Sequence, residues 1–312
     1  MSQIHLLIPC TARKTLDVPL AMNIKEHVSD SIQETLTNWQ TAFSEQQTNK
    51  VQARDLYAGQ AFSSLRALAD KMGLSLKILS AGFGLIDGTI ELPSYNATFA
   101  PNVNRVPTPK KLWWNAVSSS ALPSSSIVET FSRHKSDYFI IVASNEYLQA
   151  IQDDLVETLR TFSNASNQMA IIATSIPSTL IEYSSCFVQC SSAVLRHSTS
   201  IKPGLSLTNR HITAIASHLF LSKLDLTNPN FNDTICVLNE EFAKLTHKTR
   251  VDRPKQTDKF IIEFIETQIL TDGKRQLPVA QAHKRLRDAG YACEDKRFSN
   301  LYKQVKSEKG LS

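Results

Sequence analysis

Four short apolar runs, each of strand length and each ended by small or polar residues, constrain this chain more than any other feature. They are Ile4-His5-Leu6-Leu7-Ile8-Pro9, Leu76-Lys77-Ile78-Leu79-Ser80-Ala81, Tyr138-Phe139-Ile140-Ile141-Val142-Ala143 and Ala170-Ile171-Ile172-Ala173-Thr174. Runs this short and this continuously apolar read as strands covered on both faces, since a strand with one wet face would alternate. Helical patterns separate them. Val28, Ile32, Leu36, Trp39 and Phe43 recur at helical spacing over residues 24–48, and Phe62, Leu65, Leu68 and Ala69 mark one face of a helix over 60–72. Shorter helical patterns cover 111–120 and 148–162. Strand, small polar turn and helix in repetition predict an α/β domain with a largely parallel sheet flanked by helices, whose strand-end loops meet in one crevice. Cys10, Ser80, Asp87 and Ser144 would converge there.

Beyond residue 204 the strand signals stop, and helical patterns cover 207–224, 234–245, 258–270, 278–289 and 295–307. The charged segment 248–257, which contains Pro254, marks a boundary. The division expected is an α/β catalytic domain over 1–203, a helical extension over 204–247, a linker over 248–257 and a basic helical domain over 258–312. Charge supports it: residues 244–312 carry 16 Lys and Arg against 9 Asp and Glu, while the whole chain sums to +5. A basic helical segment on a near-neutral body suggests a polyanionic partner, with nucleic acid such as double-stranded DNA ahead of the alternative of a merely solvated, soluble tail. Ala289-Gly290-Tyr291 reads as the turn of a helix-turn-helix. Its second helix would present Lys296, Arg297, Asn300, Lys303 and Lys306 outward, with Phe298, Leu301 and Val305 inward, as a helix in a major groove requires. Lys274 and Arg275 add to the same basic surface.

The loops carry the chemistry. Cys10-Thr11-Ala12-Arg13-Lys14, just past the first strand, suits an anion or a polar base, although a solvated basic turn has the same composition. Ser80-Ala81-Gly82-Phe83-Gly84 reads as a glycine loop delivered by the second strand, followed by Asp87 and Glu91. Five cysteines are scattered, no His or Cys pair has zinc spacing, and His197, His211 and His218 show no ligand pattern. The expectation is therefore reduced thiols, no metal and no cofactor. No run is long and apolar enough for a signal peptide or a membrane span, so a cytoplasmic protein with no membrane partner is expected.

Cys10 with Lys14, the run Ala53-Arg54-Asp55-Leu56-Tyr57-Ala58-Gly59, the run Ile78 to Ile86, and Pro93 with Tyr95 together resemble an uncharacterised bacterial and phage domain. The resemblance covers residues 4–99 and, more weakly, 138–155, where Ser144, Asn145 and Tyr147 correspond. Such domains are similar to parts of the base-exchange enzymes that make deazaguanine nucleosides, and recur in phage-defence loci. An architectural relative is a DNA glycosylase acting on phage genomes with glucosylated hydroxymethylcytosine. The resemblance implies an antiviral hydrolase that excises a modified cytosine and leaves an abasic site.

Breaking an N-glycosidic bond builds positive charge on the sugar, which a carboxylate can stabilise or offset by preparing a water. Asp87 is the first candidate, directly after the glycine loop, with Asp55 and Glu91 in reserve; each also reads as a helix cap or surface charge. Lys14, Arg54, Ser80, Ser144 and Asn145 could hold a phosphate or read the base, with Gly82, Gly84 and Asn96 in the pocket wall. Tyr57, Phe83 and Tyr95 could stack on a flipped base. Cys10 reads as a small pocket-lining residue. Two other functions fit the same residues: a sensor or regulator that binds nucleic acid without cleaving it, and an enzyme modifying nucleoside or transfer-RNA bases.

Overall fold

The structure is a computed structural model that describes residues 2–46, 49–200, 208–245, 253–270 and 277–310. It forms two units that divide after residue 247. The first is built on a six-stranded sheet. Strands β1 (Ile4–Pro9), β3 (Ser75–Ser80), β4 (Gly84–Asp87), β6 (Tyr138–Val142), β7 (Met169–Ala173) and β8 (Phe187–Gln189) lie in the order β4-β3-β1-β6-β7-β8. All neighbours are parallel except β3 and β4. The sheet is therefore largely parallel, as the apolar runs require.

β1, β6 and β7 are buried almost from end to end, so both faces must be covered. Helices α3 (Gln60–Met72) and α7 (Ile212–Lys223) pack on each other and on the central strands. Helices α4 (Lys110–Ser118), α5 (Ile127–Arg133) and α6 (Asn145–Arg160) pack together as another group, with α1 (Ile32–Glu45) against α4. A two-stranded antiparallel ribbon pairs β2 (Val51–Gln52) with β5 (Glu91–Leu92), and α2 (Ala53–Leu56) is a single turn between β2 and α3. Among the described residues no helix is long and apolar enough to cross a membrane.

Four sequence expectations change. The helix expected over 24–48 starts only at Ile32, because the Ser31 side chain accepts the Glu34 N–H at 3.1 Å and caps it there. The preceding Ile24–Glu26 is a short 3-10 turn held by the Asn96 carbonyl. The glycine stretch after β3 is the tip of a hairpin, and Leu85-Ile86 returns along β3 as β4. β8, only three residues long, lay below any periodic signal. Finally, residues 208–245 are no separate extension: α7 packs on β6 and β7, and α8 (Phe231–Lys244) on β7 and β8, within one continuous core. Ile212, Ile215, Phe220, Phe231, Ile235 and Leu238 supply its buried face.

The second unit has its own core of Ile261, Ile265, Ile269, Leu286, Phe298, Tyr302 and Val305. α9 (Asp258–Phe264) continues into a π-helical turn over Ile265–Ile269, and α10 (Val279–Asp288) and α11 (Asp295–Glu308) follow. Gly290, with φ +92°, ends α10 and turns the chain, which supports the helix-turn-helix reading of this segment. The units divide after residue 247, and of the expected linker 248–257 residues 248–252 lie outside the described residues.

Gly84 tests the hairpin. Its φ is +70°, and a Cβ there would lie 2.3 Å from Ser124 Oγ. Gly84→Ala is expected to cost about 1–3 kcal/mol, from overpacking and from a backbone conformation that favours glycine. Urea unfolding of the two chains measures it; equal midpoints would contradict this geometry.

Candidate functional site

In the sheet order, β1 lies between β3 and β6, so the chain leaves β1 toward one side and later returns on the other. A crevice opens at such a reversal, past the carboxyl ends of the two strands, and it is where α/β sheets place ligands. Here the flanking segments are Cys10 to Lys14 after β1 and Ser144 to Tyr147 after β6. They touch: Cys10 Sγ lies 3.1 Å from Tyr147 Oη. The Cys10 N–H is fixed to the Leu79 carbonyl at 2.8 Å, so the loop start continues the β1 ladder. Thr11 fits against Gly59, where a Cβ would come within 2.7 Å of its methyl group.

Lys14 folds back into this loop. Its amine donates to the Thr11 carbonyl and lies 4.9 Å and 4.8 Å from the ring centres of Tyr57 and Tyr95. Burial lowers the Lys14 pKa, against the opposing pull of Cys10. Its amine is therefore more readily neutral than an ordinary lysine's, and a neutral amine is a nucleophile. Burial also pushes the phenols of Tyr57, Tyr95 and Tyr147 well up, and charge on Cys10 adds to each. All three remain O–H donors around the thiol and the amine.

Beneath them runs a directed chain of hydroxyls. Ser80 Oγ accepts the N–H groups of Gly82 and Phe83 at 3.2 and 3.0 Å. With both lone pairs engaged, its proton points to Tyr95 Oη at 2.6 Å. Tyr95 in turn reaches Tyr57 Oη at 2.7 Å. Trp39 Nε1 donates to the Gly82 carbonyl at 2.8 Å, and Trp113 Nε1 to that of Ala81 at 2.7 Å. The hairpin tip is thus fully committed to the protein itself.

This geometry corrects several expectations. Because β4 runs back along β3, Asp87 pairs in register with Lys77, three residues back along β3 from Ser80. It binds Lys77 Nζ at 3.0 Å and caps the Thr89 turn. Asp87 therefore does not converge with Cys10, Ser80 and Ser144. Asp55 is exposed and paired with Arg66 at 2.7 Å, Arg54 is ion-paired with Asp70, and Glu91 is exposed on the ribbon. None of the three expected carboxylates enters the crevice. Tyr57, Phe83 and Tyr95 are at most 1% exposed, so they wall the site from below and are not a platform for a flipped base. Ser80, Gly82 and Gly84 are buried structural members of the hairpin; a Cβ on Gly82 would meet the Tyr95 ring at 2.9 Å. Asn96 is held by Asn23 Oδ1 at 2.8 Å.

The crevice keeps Cys10, Lys14, Ser144, Asn145 and Tyr147. Ser144 and Asn145 are exposed at the start of α6, where the Ser144 side chain makes no capping bond. Sequence reading missed Glu146, which stands at the same helix start and is ion-paired with Lys110. Nothing in the sequence distinguished it from a first-turn acid. It also missed Trp39 and Trp113 as clamps of the hairpin tip, since their helical spacing marks them only as core.

In the second unit Lys296, Asn300 and Lys303 are exposed along one stripe of α11. Arg297 is not part of it: its guanidinium holds Asp258 Oδ1 at 2.7 Å and the Gln256 carbonyl at 2.9 Å. Lys274 and Arg275 lie outside the described residues.

The model of a family of unknown function, DUF6884, matches residues 41–173. That span holds Tyr57, Ser80, Tyr95 and Tyr147 and begins after Cys10 and Lys14. No curated protein and no solved structure matches the chain.

Two variants test the assignments. Ser80→Ala leaves two buried N–H groups without an acceptor and should cost about 2 kcal/mol by urea unfolding. For Asp87, burial opposes ionisation, but hydrogen bonds from Thr89 and Lys77 outweigh it and lower the pKa. Its contribution is then full above the unfolded carboxylate value of about 3.9 and is lost as pH falls through the folded value. Asp87→Asn should be less stable than the parent chain at neutral pH and converge with it in acid. A stability gap that widens in acid would contradict the ion pair.

Proposed function

We propose that the chain is a DNA glycosylase that excises a modified base, with its reacting centre at Cys10, Lys14 and Tyr147. One observation carries this reading: a desolvated lysine amine stands beside a thiol and neutral phenols at the reversal point of a parallel sheet. The motif resemblance to base-exchanging and base-excising enzymes points to the same bond. With Asp87, Asp55 and Glu91 outside the crevice, the nucleophile is the Lys14 amine.

In this reading the amine lone pair attacks C1′ of the target nucleotide. The C1′–N bond breaks, its electron pair leaves with the base, and Tyr147 O–H or solvent supplies a proton to the departing group. Opening of the sugar ring gives an iminium on Lys14, and water hydrolyses it to the abasic site and the free amine. The N–H groups at the start of α6 would receive a phosphate. Lys296, Asn300 and Lys303 of the second unit would hold the duplex, largely through its backbone.

A second reading is favoured by the burial of Tyr57, Phe83 and Tyr95: a sensor that binds a nucleotide without cleaving it. The assay that separates the two exposes phage DNA carrying glucosylated hydroxymethylcytosine, and unmodified DNA, to the full chain and then to mild alkali. The glycosylase reading expects strand breaks in the modified DNA alone. Lys14→Gln should slow them on the order of 10⁴-fold, the scale of losing a covalent nucleophile, while Asp87→Asn still cleaves. Binding with no breaks would favour the sensor.

DNA affinity tests the second unit. Lys296→Ala and Lys303→Ala should each reduce the slope of log affinity against log salt by about 1. Arg297→Ala should instead lower thermal stability, because its partners are intramolecular.

A further inference from the structure

At the amino end of the sheet, opposite the crevice, three residues far apart in sequence converge. His5 lies on β1, and His134 and Asp137 lie in the turn that leads into β6. His5 Nε2 is 3.0 Å from Asp137 Oδ2, and His134 Nδ1 is 2.9 Å from the same oxygen. One donor atom from each residue falls within 4.8 Å of the others.

The cluster is held from several sides. The Asp137 N–H binds the His134 carbonyl at 2.9 Å and closes the turn. The second carboxylate oxygen, Oδ1, accepts the Gln3 N–H at 2.9 Å, so it orients the group and leaves Oδ2 facing the rings. His5 stacks on Phe139 with ring centres 4.9 Å apart. Its Nδ1 is buried without a hydrogen-bond partner, so the Nε2 end carries all of the ring's polar contact.

We propose that His5, His134 and Asp137 bind a divalent zinc-like cation. Two imidazole nitrogens and one carboxylate oxygen form a donor set for zinc and its transition-metal neighbours, not for magnesium or calcium. In a tetrahedral site with bonds of about 2.0–2.2 Å, donors stand about 3.3 Å apart. The two nitrogen–oxygen contacts at 2.9 and 3.0 Å reach that spacing with a shift of a few tenths of an ångström, and the two ring nitrogens, within 4.8 Å of each other, would close the remainder by rotation of the exposed His134 side chain. Oδ1 on Gln3 then supplies the outer hydrogen bond that orients a metal-bound carboxylate.

The site is closed on one side and open on the other. His5 is 1% exposed, while the His134 side chain is 40% exposed. A cation can enter past His134, and a solvent molecule would complete its coordination. It would tie the start of β6 to β1, with a structural role independent of the chemistry at Cys10 and Lys14.

The test uses the full-length chain, stripped with a chelator and titrated with cobalt and then zinc. One equivalent of cobalt should give visible d–d bands without thiolate charge transfer, and zinc should displace it and raise the melting temperature. His134→Ala and Asp137→Asn, confirmed as folded by circular dichroism, should bind at least about 100-fold more weakly and show no zinc-induced rise. No cobalt spectrum, a spectrum dominated by thiolate charge transfer, or equal binding by the parent chain and both variants would overturn the proposal.

Discussion

The parallel pairing of β1 with β3 on one side and β6 on the other is the constraint on which the rest of the first unit depends. Parallel strands need crossover helices, so the chain between them must cover both faces, and its loops must emerge together past the carboxyl ends. Because β1 has neighbours on both sides, the segments after β1 and after β6 flank one gap, and the contact between Cys10 and Tyr147 spans it. The same pairing brings His5 beside Asp137 at the opposite end of the strand.

Below the gap the hairpin of β3 and β4 is fastened by directional bonds more than by its short ladder. Ser80 gathers two backbone N–H groups and hydrogen-bonds to Tyr95, and Tyr95 meets Tyr57. Two tryptophans take the carbonyls at the tip. Removing one member of a buried polar network strands the others, which makes such a network rigid. The rigid floor fixes the rings of Tyr57 and Tyr95 under the Lys14 amine, and their burial with it in turn makes that amine easier to deprotonate.

Much of the fold was legible in the sequence, because β1, β3, β6 and β7 are apolar runs that only a doubly covered sheet can bury. β4 was not: Gly84-Leu85-Ile86-Asp87 is brief, and the glycines before it read as a loop. That single reversal carries Asp87 back to the middle of β3, opposite Lys77 and away from the crevice, which no local pattern records. That Cys10, Lys14 and Tyr147 come together was legible from their place after strands. Tyr57 and Tyr95 were legible as important but not as buried, since a tyrosine in a core network and one on a binding surface have the same neighbours in sequence. The helix start at Ser31 was within reach, as Ser31 with Glu34 is a capping pattern. His5, His134 and Asp137 were not, because only strand pairing joins them.

The central claim is that Lys14 is the reacting group of the crevice. Its most direct test is borohydride added to the full chain during reaction with phage DNA carrying glucosylated hydroxymethylcytosine, followed by peptide mapping. The account predicts a covalent protein–DNA species, formed by reduction of the iminium, with the adduct on Lys14. Base release without any trapped species, or an adduct on a different lysine, would contradict it.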